Sequence, residues 1–329
     1  MNAPFYQLGP PEQFRRVGTL ARLALAHYNL GNVEVAPLNY GANATYRVTR
    51  LRDHERFVLR VHTPQRPTAQ IRSELTWLDA LYADGFTVPR AISSDEGERI
   101  ITATVPEVPE RRDCTLLAWV EGKVTRRLRT PELLRRIGTH IARLHVHSVR
   151  FRVPSNFARP RWDPDSLLDD PTWRVGWESL NSTQLNVFLQ VADRFRTTAL
   201  HLGAGDEQFG LIHGDFTFDN LLLYRGDVRL IDFDDCGFGY FLYDIATLLD
   251  RIEWRDDYWT LRRALLEGYS EERELPREHE ALLDLFLLAR WAFLGVAFLS
   301  APAYSPGGAY SDRFLTIVVP KMRKYLRSL

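Results

Sequence analysis

Sulfur is scarce in this chain: its 329 residues include two cysteines, Cys114 and Cys236, and two methionines. Two cysteines exclude a disulfide framework and show no metal-ligand spacing, so a reduced, cytoplasmic setting is expected. An excess of charge of one sign is lacking too. Lys plus Arg and Asp plus Glu each number 42, so no net field points to nucleic acid or to an acidic membrane surface. The N-terminal MNAPFYQLGPPEQFRR has none of the apolar core that a signal peptide needs. The most hydrophobic stretch, Leu285 to Leu299, is short and carries Arg290. It is expected to be a buried helix rather than a membrane span. No internal repeat or low-complexity tract occurs. What is left is an ordinary globular composition, 45 % hydrophobic and 26 % charged, in a chain long enough for two lobes with separate cores.

Against that background one stretch stands out, Leu211 to Asp244, reading LIHGDFTFDN, LLLYRGDVRL and IDFDDCGFGYFLYD. His213, Asp215, Asn220, Asp232 and Asp234 sit there among apolar residues, and a buried carboxylate is costly unless paired or metal-bound. Leu221–Tyr224 and Val228–Ile231 flank Arg225-Gly226-Asp227, a hairpin signal. Pairing Tyr224 with Val228 puts Leu221 opposite Ile231, so Asn220 and Asp232 are expected side by side at the open end. Asp215 lies on the loop feeding that end. Oxygen ligands gathered in this way suit Mg²⁺, which one or two protein groups hold together with substrate phosphates.

The arrangement resembles the catalytic and metal-binding core of the protein-kinase fold. His-Gly-Asp stands where protein kinases have His-Arg-Asp, and Asp-Phe-Asp where they have Asp-Phe-Gly. Both departures resemble the aminoglycoside phosphotransferase and choline kinase-like superfamily, marked by HGDxxxxN followed by I-D-[FW]-[DE]. The run DFDDCGFGYFLYDIA is similar to the bacterial phosphotransferase enzyme family, which includes homoserine kinase-like and stress-response Ser/Thr kinase-like members. The resemblance is specific across 211–248 and weaker elsewhere. It implies an α+β, bilobal protein kinase-like fold with a small antiparallel-sheet N-lobe and a larger, mainly helical C-lobe. Residues 1–116 would form the nucleotide-binding lobe, 117–122 the hinge, and 123–329 the catalytic and acceptor-binding lobe. It also implies ATP and Mg²⁺: Asp215 takes the acceptor hydroxyl's proton and Asn220 and Asp232 hold the metal. His213, Asp234 and Asp244 are implied as structural support.

Upstream, residues 13–30 read as a helix with Val17, Leu20, Leu23 and Ala24 as its apolar stripe. Val33–Leu38, Thr45–Val48 and Phe57–His62 read as strands. Under the resemblance, Gly41 and Asn43 lie in a loop over the ATP phosphates; taken alone that loop is a weak signal. Arg60 alternates with Leu59 and Val61 and stands where protein kinases carry Lys. Its planar fork, which never deprotonates, is not equivalent. Pro67-Thr68 opens a helix that Gly85 closes, and its Ile71, Glu74, Leu78 and Leu81 share a face. Glu74 on the apolar side wants a cation, and Arg60 is the candidate. After strands at Val88–Ala91 and Arg99–Val105, Cys114–Val120 resembles the hinge. Its backbone near Leu117 to Trp119 is implied to meet the adenine edge.

Downstream, Thr130-Pro131-Glu132 starts a helix, near whose end His145 and His147 read as structural rather than metal-binding. Between Phe151 and Ser182, Trp162, Trp173 and Trp177 interleave with Asp163, Asp165, Asp169 and Asp170. This is either an acceptor patch for a cationic or sugar-like molecule or an irregular connection whose Trp residues pack below. Ser182 is expected to cap the next helix and Gly203 to close it. Asp244 reads either as a tie to the catalytic loop or as a plain helix-start acid. Residues 255–329 read as three helices divided by Pro276 and the Pro302–Gly308 loop, with a second acidic-aromatic patch at Asp256, Asp257, Tyr258 and Trp259. The expected reaction is phosphoryl transfer to a small-molecule hydroxyl: an amino alcohol, amino sugar or homoserine-like acceptor. A Ser/Thr protein kinase of the stress-response type is the alternative. A nucleotide-binding regulator without turnover is disfavoured by the intact Asp215, Asn220 and Asp232.

Overall fold

The computed structural model describes residues 4–125, 129–168, 170–300 and 308–327. They form two compact units, Met1–Glu121 with Ser155–Ala158, and Gly122–Pro154 with Arg159–Leu329.

The first unit opens with helix α1, Pro10–Leu25, which has Pro at its first positions, where the missing N–H is no loss. It ends earlier than the expected 30, because the chain tightens into three-residue turns from Ala26 to Tyr28. Leu23, expected in the apolar stripe, is 45 % exposed, and Ala21 takes its place against the core. Strands β1 (Val33–Tyr40), β2 (Ala44–Arg50), β3 (Arg56–Val61), β4 (Ala91–Ile92), β5 (Ile101–Ala103) and β6 (Arg112–Ala118) make one antiparallel sheet. Its order is β1-β2-β3-β6-β4, with β5 also on β6. Val48, Leu59, Cys114 and Leu116 are fully buried beneath it, with Leu20 of α1. Helix α2, Thr68–Ala83, buries Ile71, Glu74, Trp77 and Leu81.

The second unit is mainly helical: α3 (Pro131–Arg150), α4 (Pro164–Leu168), α5 (Arg174–Ser179), α6 (Ser182–Leu202), α7 (Phe241–Asp250), α8 (Tyr258–Ser270), α9 (Arg277–Glu280), α10 (Leu283–Ser300) and α11 (Gly308–Leu326). Short strands β7 (Lys123–Val124), β10 (Leu221–Tyr224) and β11 (Asp227–Leu230) form one three-stranded sheet. Strands β8 (Arg161–Trp162), β9 (Phe209–Ile212) and β12 (Gly237–Tyr240) form another. Two expectations shift. Asn181, not Ser182, caps α6, through a capping box with Gln184, because an Asn carbonyl accepts the N3 amide while Gln reaches back. The short α9 precedes α10, and part of the Pro302–Gly308 loop, like Asp169, lies outside the described residues. His145 and His147 lie buried toward the end of α3, where the sequence put them.

One helix contact sets the frame. Helices α3 and α8 meet through glycines: a Cβ on Gly138 would lie 2.0 Å from Leu265 O, and one on Gly268 1.9 Å from Arg135 O. The apolar helix behaves as expected of a core element. The apolar segment Arg277–Ser300, which contains α10, is mostly buried inside the protein.

Candidate active site

Strand β9 delivers His213-Gly214-Asp215. Gly214 has φ +79°, and a Cβ there would sit 2.4 Å from Asp235 O, so both backbone sign and space require glycine. Asp244, fully buried at the start of α7, accepts hydrogen bonds from His213 N at 2.8 Å and Gly214 N at 2.9 Å. Of the two readings open for Asp244, the structure has the tie to the loop. Behind it, His145 Nε2 lies 3.3 Å from Asp244 Oδ2, and its Nδ1 lies 3.0 Å from the Tyr269 hydroxyl. Burial lowers the His145 pKa, with Asp244 pulling the other way. A neutral ring donating from Nε2 then accepts at Nδ1 from the Tyr269 O–H. Burial raises that phenol's pKa and keeps it protonated. The His213 ring packs against the rings of Phe216 and Phe233. Its Nε2 donates to Ile231 O at 3.1 Å, since a carbonyl can only accept.

Asp215 is held at both oxygens. Arg290 Nη2 of α10 donates to Oδ1 at 2.9 Å, and Asn220 Nδ2 donates to Oδ2 at 3.0 Å and to Asp215 O at 2.9 Å. The carboxylate side chain is 32 % exposed and its Arg290 partner 4 %. Burial alone would lower the Arg290 pKa; the Tyr243 phenol, Asp215 and Asp250 outweigh it and the pKa is raised. The guanidinium is therefore a permanent cation behind the carboxylate.

The hairpin register differs from the expected one. Tyr224 pairs with Asp227 and Leu221 with Leu230, around a two-residue Arg225-Gly226 turn with φ of 50° and 87°. Two left-handed residues make the tight turn that suits the strands' twist, and a three-residue loop is not needed. Asn220 is consequently opposite Ile231, whose N–H it accepts at 3.0 Å. Asp232 comes one position later, at φ 63°, a conformation that a non-glycine residue adopts at some cost. The following carbonyls are clasped by Arg159, which donates to Cys236 O and Asp234 O at 2.5 Å each and to Phe233 O at 3.3 Å. Asp234 itself is buried at 6 % exposure.

A divalent metal fits the residues present. Because Asn220 Nδ2 is engaged on Asp215, its amide oxygen is the atom left to act as a ligand, and Asp232 follows Ile231, the residue opposite Asn220. Among the described residues no group of three His, Cys, Asp or Glu is arranged to hold a metal unaided.

In the first unit, Arg60 Nη1 donates to Glu74 Oε1 at 2.7 Å, both side chains being almost fully buried. Gly41 and Asn43 form the β1–β2 turn: Gly41 N donates to Asn43 O at 3.0 Å, and Asn43 Oδ1 accepts from Thr63 N at 3.1 Å. Leu117 pairs with Val58 and Ala91 in the sheet. Ala118 N and Trp119 N donate to Arg90 O at 2.7 Å and Arg56 O at 3.3 Å. The amides of 118 and 119 are thus engaged within the unit, and the Trp119 ring lies under Arg56, 4.9 Å from its centroid.

In the first acidic-aromatic patch, Asp163, Asp170, Trp162 and Trp173 are engaged in structural contacts. Asp163 accepts from Ser166 N at 3.0 Å and pairs with Arg161, while Asp170 accepts from Thr172 N at 2.8 Å. Trp162 stacks on Tyr243 and meets Phe293 edge-on, as Trp173 does. Asp257 pairs with Arg255, and Trp259 is 63 % exposed. Sequence reasoning missed Arg290, Arg159 and His145 as parts of the site. A signal existed for the first: an arginine inside an apolar helix needs a buried anion.

The chain matches the family model "Phosphotransferase enzyme family" over residues 34–282. Amicoumacin kinase of Bacillus subtilis (strain 168) is 25 % identical over 283 residues, 81 % of this chain and 80 % of that protein. Homoserine kinase of Rhodopseudomonas palustris (strain TIE-1) is 25 % identical over 248 residues, 72 % of this chain and 70 % of that one. Among solved structures, the microcompartment-associated aminopropanol kinase superposes with a TM-score of 0.79 at 30 % identity, covering 94 % of this chain and 98 % of that one. Amicoumacin kinase in complex with AMP-PNP, Ca²⁺ and Ami gives 0.78 at 22 % identity, covering 94 % and 95 %. Glycine at the catalytic turn, a carboxylate held from both sides and a paired Arg60–Glu74 all sit on a fold shared with these kinases: the chain belongs to the phosphotransferase enzyme family and is a small-molecule kinase with a protein kinase-like fold.

Proposed function

We propose that the chain transfers the γ-phosphoryl group of Mg·ATP to a hydroxyl of a small molecule, with Asp215 orienting that hydroxyl and taking its proton. The observation that carries this is the partly exposed Asp215 carboxylate, held at one oxygen by Arg290 and at the other by Asn220. Each oxygen keeps a lone pair for an incoming O–H. Asn220 and Asp232 would hold the metal, which neutralises phosphate charge when bound. Arg60, braced by Glu74, and the Gly41–Asn43 turn would address the phosphates. With the amides of 118 and 119 engaged, the Leu117–Trp119 segment would offer the adenine the Trp119 ring and carbonyls rather than those two donors. His213, Asp234 and Asp244 keep the loops in place. A reduced, cytoplasmic setting accompanies this reading. The acceptor classes are amino alcohols, amino sugars and homoserine-like molecules. ADP release with a panel of such alcohols, beside autophosphorylation with labelled ATP, tests the reading. Label appearing on protein alone would overturn it.

Two variants separate the roles. Asp232→Ala is expected to abolish the Mg²⁺-dependent thermal shift given by AMP-PNP, and an unchanged shift would remove Asp232 from the metal. Arg290→Gln is expected to lower kcat by roughly 10–10²-fold with the ATP KM little changed, because the carboxylate loses one of its two restraints. Arg290→Lys should recover part of the loss. Equal kcat in wild type and Arg290→Gln would show that Asn220 alone suffices.

A further inference from the structure

On the second unit, a cavity of about 420 Å³ opens between the end of α7, α10 and α11. Its apolar wall includes Trp254, Phe298 and Phe314, and three arginines stand around it, Arg129, Arg251 and Arg313. Two observations join it to the catalytic loop. Leu294, also in the wall, follows Arg290 by one turn of α10, about 6 Å along the axis. The Arg129 guanidinium lies 4.7 Å from the ring of Phe218, a residue between Asp215 and Asn220.

The charge around the cavity is only partly compensated, three arginines standing against one lining carboxylate. Asp250, the one acid among the described lining residues, is 5 % exposed, accepts from Trp291 Nε1 at 2.7 Å and pairs with Arg251. Arg313 makes no ion pair among the described residues. Arg129 Nε is buried with no hydrogen-bond partner among the described residues. Burial first, then Arg255 and Arg251, lower the Arg129 pKa, with Asp219 opposing. Cations brought together against an apolar wall repel one another until an anion sits among them.

We propose that this cavity receives the acceptor, and that the acceptor is a hydroxy acid: an apolar or aromatic body on the rings, a carboxylate on the arginines and the hydroxyl directed to Asp215. Guanidinium forks match a carboxylate in two-point geometry. The proposal rests on the reading of Asp215 as the residue that faces the acceptor. It selects, among the classes above, acceptors that carry an acid and excludes amino sugars.

Three phenyl alcohols that differ in charge test it: mandelate, neutral mandelamide and cationic 2-amino-1-phenylethanol. Each is titrated calorimetrically into the full chain with AMP-PNP and Mg²⁺ present. Mandelate is expected to bind at least about tenfold more tightly than either other probe. In Arg129→Gln/Arg313→Gln that preference should fall to within about twofold; Arg313→Gln alone, at an exposed position, serves if the double variant does not fold. Equal binding of the three, a preference for the cation, survival of the preference in the variants, or no binding by protein that still takes up AMP-PNP would each overturn the proposal. ADP release with the same probes and with the wider alcohol panel is read separately. Selective mandelate binding without ADP release from any alcohol leaves the cavity assignment standing and removes the catalytic one.

Discussion

Asp215→Asn is expected to reduce kcat by roughly 10²–10⁴-fold while the affinity for AMP-PNP stays within about threefold. The substitution keeps an oxygen for Arg290 or Asn220 but removes the charge that would accept the hydroxyl's proton. It also turns an NH₂ donor toward one of two groups that are themselves donors, Arg290 Nη2 and Asn220 Nδ2. The side chain therefore loses its position along with its basicity. Reactions of this kind depend on positioning and charge neutralisation rather than on covalent help from the protein, so a displaced acceptor costs as much as a missing base. Steady-state ADP release gives kcat, and calorimetric titration with AMP-PNP gives the binding arm. Turnover near that of the wild type would take Asp215 out of the reaction.

Asp244→Ala is expected to lower the free energy of unfolding by about 3–5 kcal/mol. Two backbone N–H groups, those of His213 and Gly214, lose their acceptor in a fully buried place, and each orphaned donor costs about 1–3 kcal/mol. His145 Nε2 loses its partner in the same step. Asp244→Asn should do less damage, since one carbonyl oxygen remains, although its NH₂ must face a donor. Urea unfolding followed by tryptophan fluorescence reads the difference. A loss under about 1 kcal/mol in the alanine variant would mean that the loop does not depend on this carboxylate.

Much of this site was legible before any coordinates, and the reason is local. HGDxxxxN and IDFD place their residues within a few positions of strand ends, so spacing brought Asp215 and Asn220 together and put Asp232 at the open end of the hairpin, one position beyond the residue that faces Asn220. Glu74 was legible for a different reason, as a charge on the buried face of an amphipathic helix. The hairpin register was misread because Arg225-Gly226-Asp227 permits both a two- and a three-residue turn. The choice is made by Arg225 accepting a left-handed backbone, which composition does not reveal. Arg290 lies 75 residues from its partner, and no periodicity connects them. The sequence showed the anomaly, an arginine in an apolar run, but not its address. The Trp and Asp residues of 162–173 were ambiguous in the same way: capping and acceptor binding call for the same residue types, and only the hydrogen bonds to Ser166 and Thr172 decide.

The glycine crossing of α3 and α8 reaches further than helix packing. Tyr269 follows Gly268 directly and bonds His145, which bonds Asp244, which holds the amides of His213 and Gly214. With main chain against main chain at Gly138 and Gly268, no side chain at the joint can rotate or be trimmed to absorb a shift. Helix α8 thus acts as a fixed backstop to the loop bearing Asp215. Drift at these two glycines would be passed through Tyr269, His145 and Asp244 to the amides of His213 and Gly214, and so to the backbone that carries Asp215.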